Sequence, residues 1–392
     1  MKRGQTVRLG LRPASACGQT KRLGDAARAA AWLRGALILF ATLILTSVVS
    51  EQAAAQFAPP PCTTCGTPAN GSGFASTQGS LFDVGSHFQT RLGAQMSYRD
   101  GTSVNPQGGG ADLPAGGAGS PTDRYRTWFE GYGTASRTSG QGFFLGDHRR
   151  VYGGIAGFGA TVTQGVTLGV SVDAGRTKID VPGATGRVDL TQIGFIGNFE
   201  RGPWNLGVTG IYGFGNVKSD RFDTGGVSSA SYLAHLWGTM AELSYYVPLP
   251  NNSRFVPKLS ADWLQTRTDG FAESGGTNPV SGSAVTASRI RMMIGGEIGH
   301  SWLVGRQIFD FAVYARMVNN LSQNIGDLII SAPTVAGLQF VTGVRESSMG
   351  ADAGAAFSVK VSPLTRLYAA YDGRFRGNLT SHSGSVGAEF RF

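Results

Sequence analysis

The sequence predicts a membrane-spanning, antiparallel up-and-down β-barrel of about twelve strands over residues 125–392. Three observations carry that expectation. From Arg126 to the C-terminus, polar and apolar residues alternate with period two. The polar face of that alternation holds full charges and many glycines, which suits a wet lumen better than the packed layers of a soluble sandwich. The connections between alternating stretches are mostly short and long in turn, as inner turns and outer loops are in such barrels.

Composition agrees with export. Charged residues make up 15% of the 392-residue chain, below the usual quarter of a soluble domain. The one long apolar run, Gly35 to Val49, has fifteen residues, short of the ~20 that a spanning helix needs. Lys2, Arg3, Arg8, Arg12, Lys21, Arg22, Arg28 and Arg34 precede it, and small residues follow it at Gln52 to Gln56. A basic region, an apolar region and small residues make a secretory signal. Residues 1–55 are therefore expected to be removed, with an A-x-A site at Ala53 and Ala55. Without them, 26 of the 34 basic and 23 of the 25 acidic residues remain, so the net charge of +9 largely disappears. No basic block carries interleaved aromatics, so nucleic acid is not an expected partner.

Residues 56–124 read as a Pro/Gly-rich linker or passenger, with Pro59 to Pro61 and the stretches Gly66 to Gly73 and Gly108 to Gly119. Cys62 and Cys65 suit a local staple or an inert pair, because no βαβ context follows for redox chemistry. Within this region Ser80 to Gln95 predicts a helix. Leu81, Val84, Phe88 and Leu92 fall at helical spacing, and Asp83, His87 and Arg91 form a polar stripe beside them. Gly85 and Gly93 weigh against it.

The strands follow. Val166 to Ala174, Arg289 to Ile298, Phe309 to Met317, Met349 to Val359 and Arg366 to Phe375 show the clearest alternation. Many run about ten residues or more, which a tilted membrane strand needs. Short turns are expected at Gln164-Gly165, Arg201-Gly202, Pro248 to Ser253, Gly305-Arg306 and Ser362-Pro363. Longer loops are expected at Ser139 to Asp147, Ser219 to Ser228, Gly270 to Ala284 and Leu321 to Thr342. Pro182 to Gly186 and Gly377-Asn378 are short where the pattern calls for long. Aromatic side chains near strand ends (Trp128, Phe129, Trp204, Tyr245, Tyr246, Trp302, Phe390 and Phe392) are expected at the membrane–water interface. A charge facing lipid at mid-depth costs ~2–4 kcal/mol. Arg289, Arg291, Glu297, Arg316, Asp352, Arg366, Asp372 and Arg374, with Asp173, Asp189 and Asp262, are therefore expected to face the lumen.

The last strand places Val386, Ala388, Phe390 and Phe392 on one face and Ser385, Gly387, Glu389 and Arg391 on the other. It is expected to close against residues 127–136. An alternating strand that ends on an aromatic looks like the signal read by the outer-membrane assembly machinery. Together with Trp128-Phe-Glu-Gly-Tyr-Gly and Tyr152-Gly-Gly-Ile-Ala-Gly-Phe-Gly, it gives residues 125–392 a resemblance to the β-domain of autotransporters, the type V secretion family. The resemblance implies a Gram-negative outer-membrane barrel with a helix threading its lumen and an upstream passenger at the cell surface. It implies membrane lipid, the barrel assembly machinery and periplasmic chaperones as partners, and a monomer. The chain departs from the family pattern in its short upstream region, which shows no repeats and no catalytic motif.

No nucleophile, metal or cofactor motif is legible. His87, His148, His235, His300 and His382 are scattered. Asp147-His148 is the one adjacent pair, and nothing completes a constellation around it. The expected function is a translocator barrel that anchors and exports an N-terminal segment, not an enzyme, and no cofactor is expected. The alternatives are a porin-like channel, or a surface adhesin or enzyme using the outer loops.

Overall fold

A computed structural model describes residues 71–97, 124–142, 144–223, 226–304, 307–332 and 335–392. The expected signal segment, Ala53, Ala55, Cys62, Cys65 and most of the Pro/Gly-rich stretch lie outside the described residues.

Twelve long antiparallel strands form the wall. They are β1 (Tyr125–Thr138), β2 (Asp147–Thr163), β3 (Val166–Val181), β4 (Ala184–Arg201), β5 (Trp204–Asp223), β6 (Gly226–Tyr245), β7 (Ser253–Thr268), β8 (Val285–Val304), β9 (Gln307–Asn324), β10 (Met349–Ser362), β11 (Thr365–Arg376) and β12 (Leu379–Arg391). Each pairs with its neighbours in sequence, and β12 pairs with β1. Thr127 faces Phe390 and Ser136 faces Ser381, so the expected closure holds in register. Beyond the last pair, Tyr125 and Phe392 exchange two backbone hydrogen bonds of 3.0 Å. Closure leaves no edge, and a sheet in lipid can satisfy its backbone only in this way.

The short turns gather at one end, here called the inner end. Gly165 takes a positive φ of 76° at one, and Asn251 and Asn252 take 58° and 56° at another. Glycine and asparagine tolerate that region where other side chains clash. The outer end carries the longer connections, and two of them contribute strands. Val335–Thr342, Asp327–Ala332, Ser281–Gly282 and Phe271–Ala272 pair into a second, four-stranded sheet. Arg221 clamps Glu273 in this cap with bonds of 3.2 and 2.6 Å.

One expected loop is absent. Residues 219–228 are mostly strand, because β5 and β6 run on to Asp223 and from Gly226. Their polar outward residues, such as Asp220 and Ser229, mark strand that stands clear of the hydrocarbon. In sequence, wet strand and loop look alike.

The exterior displays a continuous apolar band that includes Phe158, Val170, Val172, Phe195, Ile298, Phe311 and Val386. Such an area is untenable in water and is what a hydrocarbon surround requires. Aromatic pairs rim its inner edge. Trp204 packs edge-on to Tyr245 at 4.7 Å, and Trp302 stacks on Phe309 at 6.0 Å. Two of the expected interfacial aromatics are elsewhere. Trp128 is buried in the lumen against Gly157, and Tyr246 lines a lumen cavity. Their positions have inward parity, which proximity to a strand end does not reveal.

Inside the barrel lies α1 (Ser72–Ser97), 26 residues long. It spans about 39 Å at 1.5 Å per residue and extends past both ends of the expected Ser80 to Gln95.

Candidate functional site

The lumen and its helix form the site. On one side α1 meets β4–β7 through apolar and small residues. Leu81, Phe88 and Leu92 are fully buried, among Leu190, Ile211, Leu236 and Leu264 of the wall. The glycines that weigh against a helix are the points of closest approach. A Cβ on Gly85 would stand 2.6 Å from Leu236 Cδ1, and one on Gly93 would stand 2.6 Å from Met240 Cε. The wall reciprocates. A Cβ on Gly194 would meet Leu92 and Phe88, and one on Gly238 would stand 2.7 Å from Gln89 Nε2. Each helical glycine gives up about 1 kcal/mol of propensity, and here the lost propensity is exchanged for close packing.

On the other side the polar stripe faces charged groups. Arg149 of β2 donates to Asp83 at 2.9 Å. Arg91 reaches Asp372 of β11 at 2.7 Å and Glu130 of β1 at 3.3 Å. His87 bonds Ser383 of β12 at 2.5 Å. Ser86 accepts from both Arg289 and Arg291 of β8, and the Arg289 guanidinium lies 4.9 Å from the Phe82 ring centroid. Along the axis, Gln78 is tied to Thr266 and Thr268 towards the outer end. Gln95 donates to Tyr368 at 2.8 Å, and its carbonyl accepts from Arg126 at 3.1 Å, towards the inner end.

The helix therefore has a fixed polarity. Its N-terminal end sits under the outer cap, where Phe74 stacks on Phe271 at 4.2 Å and Gly71 abuts Val341. Its C-terminal end lies near the start of β1. A cavity of about 150 Å³ remains at the inner half, lined by Arg91, Glu242, Lys258, Glu297 and Arg316 among others.

The eight charges singled out in the sequence all face inwards but do different things. Arg289, Arg291 and Asp372 touch α1. Glu297, Arg316, Asp352 and Arg366 knit the wall. Arg316 bonds Asp352 at 3.0 Å, and Arg376 joins it at 2.8 Å. Arg366 holds Glu389 at 2.6 Å. Glu297 receives Arg254 and Lys258, both at 3.1 Å. Arg374 is buried beside Asp352 and His87. Of the acids added to them, Asp173 accepts from Tyr132 at 2.9 Å and Gln192 at 2.6 Å. Asp262 pairs with Arg291.

Asp189 breaks the expectation. It faces outwards between Arg176 and Arg187, both at 2.6 Å. It sits above the apolar band, where an outward charge meets water and headgroups. Asp147 and His148 point to opposite faces, Asp147 inwards to Arg149 at 3.3 Å. Val386, Phe390 and Phe392 are exposed on the exterior and Ala388 is half-buried beside them.

Arg149, Glu130 and Glu346 were not singled out in the sequence. The first two sit at inward parity on β2 and β1, a signal that was available. Glu346 lies in the segment between Thr342 and Met349, where no period exists. It pairs with Arg289. Burial pushes its carboxyl up, but Arg289, Arg291, Arg376 and Arg374 together hold it below the usual glutamate range.

A helix-filled, twelve-stranded barrel narrows the possible relatives, and sequence decides among them. A family model described as the autotransporter beta-domain matches residues 127–372. This chain belongs to the autotransporter β-domain family. The autotransporter barrel is similar in structure to the translocator domain of autotransporter NalP from Neisseria meningitidis. The identity is 15% and the TM-score 0.64, over 82% of this chain and 99% of that one. It is also similar to the β-domain of the Bordetella autotransporter BrkA, at 20% identity and a TM-score of 0.52, over 69% of this chain and all of that one. No curated protein matches the autotransporter chain by sequence alone. The protein is an outer-membrane translocator barrel of type V secretion.

Proposed function

We propose that this barrel delivers the segment preceding α1 to the cell surface and keeps α1 in the pore as the stretch that tethers it. The polarity of the helix carries this reading. Its N-terminal end points to the outer cap and its C-terminal end to the inner turns, so a chain that continues upstream of Ser72 leaves by the outer mouth. Residues 1–55 direct export and are cleaved after Ala55. Val386, Ala388, Phe390 and Phe392 are the strand face read by the assembly machinery, after passage with periplasmic chaperones. The barrel works as a monomer, and its role is transport and anchoring without catalysis.

The test uses Cys62 and Cys65. Intact cells are reduced, labelled with a membrane-impermeant maleimide and mapped by mass spectrometry. Labelling before lysis is expected. Labelling only after lysis places the segment in the periplasm and overturns the reading. For the assembly face, Phe392→Ala is expected to reduce the heat-modifiable barrel recovered from outer membranes, against unchanged total protein in the cell.

A further inference from the structure

The exterior of β2–β5 carries a row that neither the lumen nor the passenger explains. Arg150, Lys178, Arg187 and Lys218 are direct cross-strand partners, one after another, on four adjacent strands. All four point out of the barrel. Neighbouring strands lie ~4.8 Å apart, so four cations stand in a line of roughly 14 Å. Like charges set directly opposite each other destabilise a sheet. The barrel tolerates three such oppositions in a row.

The nearby acids answer part of this charge. Asp180 pairs with Arg150 at 3.0 Å, and Asp189 sits between Arg187 and Arg176 at 2.6 Å from each. Asp220, in the row above, accepts from Ser229 at 2.6 Å. Arg137 of β1 faces His148 in that upper row and adds a further cation. Six cations thus face three acids. Among the described residues, Lys178 and Lys218 have neither an ion pair nor a side-chain hydrogen bond.

Height identifies the partner. Directly below the row, the outward positions of β3 are Arg176, Ala174, Val172, Val170 and Leu168. Lys178 is ten residues along β3 from Leu168, which is ~33 Å of strand. At a usual strand tilt this is ~25 Å of height, the full depth of the apolar band of such barrels. Tyr152 lies just beneath the row on the same wall, opposite Arg176 and exposed as interfacial aromatics are. The cations therefore stand at the outer headgroup level, with apolar wall for acyl chains below them.

We propose that this row is a binding site for an anionic glycolipid of the outer leaflet, one with phosphate groups on its sugar headgroup. Lys178 and Lys218 are free to take phosphate oxygens, Arg150 and Arg187 widen the site, and Val170, Val172, Ile193 and Phe195 receive the acyl chains. The site holds the barrel at a fixed depth and orientation through one lipid-facing wall.

The test is native mass spectrometry of the full-length barrel, released from the membrane in mild detergent and incubated with a bisphosphorylated lipid A. Three arms are compared: the wild type with that lipid, the wild type with the enzymatically dephosphorylated lipid, and a Lys178→Gln/Lys218→Gln variant with the phosphorylated lipid. The expected result is at least a fivefold loss of bound lipid in the second and third arms. Arg267→Gln, which removes an outward cation outside the row, is expected to leave binding unchanged. The dephosphorylated arm decides the matter even if the double variant misfolds, since it uses the native chain. Equal retention of the two lipids by the wild type overturns the proposal. Displacement of the lipid by millimolar inorganic phosphate also overturns it, because it assigns the row to a small anion.

Discussion

The two sides of the lumen hold the same helix by different means. The β4–β7 side offers Leu190, Ile211, Leu236, Leu264 and the clefts over Gly194 and Gly238. The β8–β12 side, continued by β1 and β2, offers Arg289, Arg291, Asp372, Ser383, Glu130 and Arg149. The apolar contact is short-ranged and demands shape, so it sets how deeply the helix sits. The polar contact is directional, and a buried ion pair spends much of its attraction on desolvation, so it sets rotation and axial register more than affinity.

Removing apolar volume is the largest expected way to break this division. Phe88→Ala is expected to weaken helix seating by ~3–5 kcal/mol. It should appear as raised single-channel conductance in planar bilayers, with heat-modifiable migration unchanged. If conductance stays low, the polar side alone holds the helix. Overfilling comes next. Gly85→Leu pushes side-chain atoms into Leu236 and Leu264 and should cost ~1–3 kcal/mol, read as faster proteolysis of α1 in the purified barrel.

On the polar side, Arg91→Met removes the bridge between Glu130 and Asp372. Both acids keep other donors, Tyr368 and Gln95 for Glu130 and Tyr314 for Asp372. The expected cost is therefore ~1–3 kcal/mol, with conductance close to wild type and a rise in helix hydrogen exchange.

The smallest effect concerns pH. Glu346 is held below the usual glutamate range by its arginines. A depressed carboxyl contributes stability that is complete above the unfolded value, ~4.3, and is lost as pH falls through the lower folded value. The protection of residues 343–348 against hydrogen exchange, taken relative to the intrinsic rate at each pH, is expected to be flat from neutral pH to about 5, then to fall in acid. Glu346→Gln should show the lowered protection at every pH.

Period two was enough to read the barrel, its strand order and the inward charges, because on a closed sheet side-chain parity and face are the same thing. The same parity places Glu130 and Arg149 inwards, although neighbouring aromatics at Trp128 and Phe129 suggested a strand end and nothing more. The helix was legible in its middle, where Leu81, Phe88 and Leu92 repeat. Its ends were not, since Ser72 to Gly79 holds one aromatic, Phe74, among small and polar residues, and the partners of Phe74 and Gln78, Phe271 and Thr268, lie some two hundred positions away. Asp189 was misread because parity gives the face of a residue only relative to its neighbours, and nothing in one strand gives its height in the membrane.

The sequence by itself determined that this chain is a barrel, which residues face lipid along most strands, and that its final strand closes the sheet. Those follow from alternation and from the cost of charge in hydrocarbon, both local rules. Only the tertiary structure decided how the helix is seated and where the outward cations stand. Both depend on register between distant strands. Gly194 beneath Leu92, and Arg150, Lys178, Arg187 and Lys218 in one row, exist only once twelve strands have fixed their offsets.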